Sequence, residues 1–118
     1  MSVVEAPLAR VAGRELQPLA RFRTPLSDLG SRFGWTVRHE DDPQLGPMFV
    51  VALKVGSVLY LLRGFAHDVN QATMLETPSS GDPQDQLRRF LEEILLNEDV
   101  THWWDGKAWN DTPLPWAA

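Results

Sequence analysis

The sequence predicts an α+β fold: a four-stranded antiparallel meander between two helices, closed by a short C-terminal Trp-rich β-hairpin. Three observations carry this expectation. Two apolar runs, Phe49–Leu53 and Val58–Leu62, flank Gly56-Ser57, a pair suited to a two-residue hairpin turn. Leu87, Phe90, Leu91, Ile94 and Leu95 recur at helical period after Asp82-Pro83. A shorter helical stretch opens at Thr24-Pro25 and closes at Gly34.

A chain of 118 residues, 43% hydrophobic and 23% charged, has the size and composition of one globular domain. Residues 1–23 read as a partly ordered N-terminal arm, and 24–118 as a single α+β domain. In the arm, Leu8, Val11, Leu16, Leu19 and Phe22 suit short helical or extended pieces, but Pro7, Gly13 and Pro18 interrupt any long one.

The first helix then follows, with Thr24 as N-cap, Pro25 at the first position, and Leu26, Leu29 and Phe33 on one face. Trp35 to Glu40 alternates as a strand with Trp35 and Val37 inward, and Asp41 to Pro47 is a polar loop. In the hairpin spanning Met48 to Phe65, a type II′ turn at Gly56-Ser57 sets Val55 against Val58, Leu53 against Tyr60, Val51 against Leu62 and Phe49 against Gly64. These residues make one wholly apolar face. The other carries Lys54, Ala52 and Val50 against Leu59, Leu61 and Arg63, and is half apolar. Ala72 to Thr77 is a fourth strand. In the second helix Arg88–Glu92 and Arg89–Glu93 are spaced to pair along the wet side. Last, Asp105-Gly106 predicts a type I′ turn pairing Trp104 with Lys107 and His102 with Trp109, with the Trp104 and Trp109 rings near each other.

Composition excludes several function classes. With no cysteine there is no disulfide, thiolate nucleophile or zinc finger. The longest apolar runs fall far short of the roughly 18 residues of a membrane helix. Charges near the N-terminus break any signal-peptide core, so the expectation is cytoplasmic and without a membrane partner. Nine arginines against two lysines fit a GC-rich bacterial coding bias. The formal net charge of −5 argues against nucleic acid as partner. Its distribution is uneven: residues 1–38 are net +3, the remainder −8.

No motif announces catalysis, and no cofactor is expected. The meander would gather His39, Asp41, His67 and Asp68 at one sheet edge, a set able to ligate a divalent metal or to serve a hydrolase. The same residue types are those turns use for their own backbone. The stronger signal is apolar. Trp103, Trp104, Trp109 and Trp116, with Val50, Leu59 and Leu61 on the half-apolar sheet face, offer an interaction surface in a domain too small to bury every tryptophan. The reading is a non-enzymatic protein-interaction module that pairs with itself as a homodimer or with another protein. A strand-turn of Gly56-Ser57-Val58-Leu59-Tyr60, a capped helix through Phe90-Leu91, then Val100-Thr101-His102-Trp103, resembles the layout of some small bacterial toxin-immunity proteins over about half the chain. That resemblance implies an acidic surface that masks a basic partner.

Overall fold

The computed structural model describes residues 3–44, 46–66 and 72–116. Among them, in chain order, are the strands β1 (Val3–Ala6), β2 (Gln17–Phe22), β3 (Arg38–Asp42), β4 (Gly46–Val55), β5 (Val58–Phe65), β6 (Thr73–Thr77), β7 (Val100–Trp104) and β8 (Trp109–Asn110). Helix α1 (Leu26–Phe33) lies between β2 and β3, and α2 (Pro83–Ile94) between β6 and β7. The strands form one antiparallel sheet in the order β1-β4-β5-β6-β2-β7-β8, with β3 also paired to β4. At ten residues, β4 is long enough to carry β1 along Ala52–Val55 and β3 along Gly46–Val50 on one edge, and β5 on the other.

The expected four-stranded meander between two helices is therefore corrected to an eight-stranded sheet. Both helices pack on the same face, because Leu26 and Leu29 of α1 join Leu87, Phe90, Leu91 and Ile94 of α2 in one buried cluster with Val51, Leu53, Tyr60, Leu62 and Leu75. The largest departure is β2. Its residues come from the arm, yet it lies between β6 and β7. Pro18 hides this strand in the sequence, since proline cannot donate to a ladder. The conflict is resolved by a bulge: the register with β6 slips between Pro18 and Ala20, and Leu19 and Ala20 are both buried.

The central hairpin forms in the register its turn dictates, with Val55 opposite Val58, Leu53 opposite Tyr60, Val51 opposite Leu62 and Phe49 opposite Gly64. Gly56 takes φ +61° while Ser57 stays out of the positive region, as a type II′ turn requires. Tyr60 is buried and its hydroxyl donates to the Gln86 carbonyl at 2.8 Å, tying the hairpin to α2. Burial pushes its phenol well above the ordinary range.

Other elements are shifted from expectation. Thr24 does not cap α1: its amide and hydroxyl both donate to the Asp99 carboxylate, at 3.0 and 2.8 Å, and Pro25 holds the N-cap position. A carboxylate accepting two bonds is a stronger partner than a helix-end amide. Trp35 and Val37 precede the strand rather than belong to it. The Trp35 amide still donates to Gly30, its ring stacks on Phe33 at 4.8 Å, and Val37 packs where a Gly30 Cβ would stand. Helix α2 is capped as expected by Asp82, which accepts from the Asp85 amide. Its cations find other partners: Arg89 pairs with Asp85 at 3.2 Å and Arg88 lies over the Trp116 ring.

Leu95 continues the apolar period in sequence but ends the helix in space. It adopts φ +58°, is 73% exposed, and hands the buried position to Leu96. A left-handed conformation costs an L-residue roughly 1–2 kcal/mol, a cost glycine does not bear. Leu95→Gly is therefore expected to stabilise the protein by about 0.5–1 kcal/mol in urea denaturation, offset only by glycine's greater unfolded-state freedom. A loss of stability would refute the assignment of Leu95 as a helix terminator.

Candidate functional site

The sheet's second face decides which surface is available. Paired residues in an antiparallel sheet point to the same side. One row across the face therefore holds Arg38, Val50, Arg63, Met74, Arg21 and His102, and a second holds Ala52, Leu61 and Glu76. Over β4 and β5 this face is closed by the connection from β1 to β2. Val11 is buried against Val50, Ala52 and Leu61, flanked by Leu8, Leu16, Ala6, Met48 and Leu59. The 3-10 turn at Leu8–Arg10 and the backbone bonds to Leu8 give this strap its shape. Val50 and Leu61, read from sequence as interaction-surface candidates, thus lie beneath the strap, with Leu59 half-buried beside it. Arg63, also on this face, is paired in parallel with Glu76 through two hydrogen bonds.

The apolar cluster under the strap includes no residue of β6, β2, β7 or β8. Met74, Arg21, His102 and Trp104 are half-buried on these strands, and Trp109 is 38% exposed. The C-terminal hairpin that carries the tryptophans differs in register from a type I′ turn. Trp104 pairs with Trp109 and Trp103 with Asn110, leaving Asp105 to Ala108 as the loop. The Asp105 side chain explains the longer loop, because it accepts from the amides of Lys107 and Ala108 and from the Asn110 side-chain amide. Those bonds, that of Asn110 foremost, hold its carboxyl below the ordinary range. A two-residue turn could not form them.

The four tail tryptophans divide in consequence. Trp103 turns to the helical side, only 8% exposed, and donates to the Thr112 carbonyl at 2.9 Å. Trp116 packs partly buried against the same core. Trp104 and Trp109 stay on the open face, ring against edge at 5.5 Å. Alternation along β7 separates the sets, and residues opposite each other share a face.

Beside the pair, a second bulge remodels β7. Arg21 pairs with His102 but Phe22 pairs with Val100, so Thr101 is the extra residue. Its hydroxyl donates to the Arg21 carbonyl at 3.3 Å and lies 3.1 Å from His102 Nδ1. Arg21, Arg23, Ala72, Thr101 and His102 line a cleft of about 320 Å³.

The metal candidates gain no support. His39 and Asp41 lie exposed on β3, with His39 edge-on to Phe49 at 5.5 Å, while His67 and Asp68 fall outside the described residues. Among the described residues no three histidine or acidic side chains converge as metal ligands. Sequence reading paired His102 with Trp109 but missed Arg21 as its neighbour on this face because it did not see β2. Among the described residues no helix is long and apolar enough to cross a membrane. Comparison with known protein families, curated proteins and solved structures finds no match for this chain.

Proposed function

We propose that the chain is a non-enzymatic protein-interaction module and that it binds through the open half of the second sheet face. The observation that carries this reading is the Trp104–Trp109 pair, on the same sheet face as His102 of its own strand and Arg21 of the next. A solvated sheet face needs no indole pair. Large rigid rings with an adjacent guanidinium are the residue types that dominate binding energies at interfaces. A different protein suits this face better than a second copy, because an isologous contact would set a surface bearing Arg21 and His102 against itself. Asp85, Glu92 and Glu93 of α2 are interleaved with Arg88 and Arg89, so this helix is not uniformly acidic as the masking of a basic partner would favour.

Site-specific photo-crosslinking tests the reading. With a photoreactive residue in place of Trp109, adducts should form in cells expressing the full chain, and they should be absent with the same residue in place of Glu92 on the exposed side of α2. Equal adducts at the two positions, or none at position 109, would overturn it.

A further inference from the structure

Away from the open face, we infer a second site: a cleft that takes the phosphoryl group of a small organic phosphomonoester. The cleft measures about 590 Å³. It is lined by Arg10 and Arg14 of the strap, Ser57 of the hairpin turn, and Ser79 and Ser80 of the loop between β6 and α2.

Its charge is of one sign. Among the described residues no acidic side chain lines the cleft, and Glu15, next to Arg14 in sequence, is not part of its wall. Among the same residues neither guanidinium is paired with a carboxylate. Arg14 Nη1 donates to the Arg10 carbonyl at 3.4 Å, which ties the two residues together. A guanidinium carries five N–H donors, so that single bond leaves most of both forks for a ligand.

The loop adds donors of another kind. Its carbonyls at Ser79 and Gly81 accept from Gln17 Nε2, at 3.5 and 3.0 Å. The Ser79 amide donates to Thr77 Oγ1, and the Gly81 amide to Ser79 Oγ. These bonds hold the loop in shape, yet none of them involves Ser80. Among the described residues the Ser80 amide and hydroxyl have no partner, nor has the Ser57 hydroxyl, and both serines are exposed.

The arrangement suits a phosphoryl group better than a carboxylate. A carboxylate presents two oxygens in one plane, whereas a phosphoryl group presents three in a tetrahedral array with about two negative charges. Donors drawn from three separate stretches of chain match the second. The cleft is also larger than the anion alone and falls in the range of small-molecule sites. Leu59 and Pro78, half-buried on its wall, meet the organic remainder. The chain's formal net charge of −5 opposes the approach of a polyanion such as nucleic acid, and hinders a small dianion far less.

The test uses the full chain labelled with nitrogen-15, with phenyl phosphate as probe and benzoate as control. Phenyl phosphate should move the Ser80 amide signal and bind at least tenfold tighter than benzoate. Arg10→Gln and Arg14→Gln should each weaken it at least fivefold and, both side chains being exposed, leave the thermal midpoint in place. Arg32→Gln, which removes the same charge from an exposed position on α1, should bind as the parent does. Equal affinity for benzoate, or an unmoved Ser80 signal, would overturn the inference. So would an equal loss in all three variants, which would reduce the effect to net charge. Tighter binding of an eight-nucleotide oligothymidylate would overturn it as well, making the cleft part of a nucleic-acid surface.

Discussion

Phe22→Ala is expected to destabilise the protein by about 3–5 kcal/mol, the range for emptying a buried phenylalanine site. Phe22 is 0% exposed, and its ring lies 6.0 Å from that of Phe90, which in turn meets Tyr60 at 5.2 Å. The three rings join β2, α2 and the central hairpin, so no single element can move in to fill the space. Domains of this size are stable by roughly 5–15 kcal/mol, so the loss is a large fraction of the total. Phe65 is the internal comparison, a half-exposed ring at the end of β5 beneath the Arg63 guanidinium. Phe65→Ala should cost about 1 kcal/mol or less. Urea denaturation of the two variants checks this, with the midpoint moving strongly for Phe22→Ala and the slope unchanged for both. If the residues before α1 merely lay over the core, the two losses would be similar. A difference under about 1 kcal/mol would remove β2 from the sheet's interior.

Why β2 escaped sequence reading while the central hairpin did not is a matter of where the information lies. Gly56 carries its conformation locally, and an alternating apolar run on each side leaves one register that keeps Leu53, Tyr60 and Leu62 together. Helix α2 is equally local, with Asp82 and Pro83 at its start and apolar residues at its period. In β2 the alternation is broken by Pro18 and by the bulge at Leu19, and the strand is held by β6 and β7, both more than fifty residues downstream. No window of sequence contains those partners. The loop Asp105 to Ala108 failed for a related reason: Asp-Gly favours a two-residue turn, but a side chain with three donors within reach outweighs that preference. The candidate site inherits these limits. Trp104 and Trp109 were legible as a touching pair, whereas Arg21 joins His102 and the exposed Thr101 only once β2 is in place.

Val11→Asp is expected to cost about 3 kcal/mol and to free the strap without unfolding the helical side. Val11 is 5% exposed and covers Val50, Ala52 and Leu61. A carboxylate kept in that position would lack any solvent and would cost more than the chain gains from the contact. The alternative is for the strap to lift away, which forfeits the burial of Val11 and part of that of Leu8 and Leu16, roughly 1.5–3 kcal/mol for each fully buried large side chain. The cheaper path limits the loss and decides the outcome. Nothing in that path touches Phe22, Phe90 or Tyr60, so the far-ultraviolet circular dichroism should persist while a hydrophobic dye binds and protease sites open between residues 8 and 16. Ala12→Asp, at an exposed position one residue along the same strap, should stay within about 0.5 kcal/mol of the parent and bind no dye. Were the two variants indistinguishable, the strap would not be what covers β4 and β5. The apolar residues of that half-face, Val50, Leu59 and Leu61, would then return as a second surface continuous with Met74 and the tryptophan pair, and the open face would span the whole sheet rather than the half left between the strap and β8.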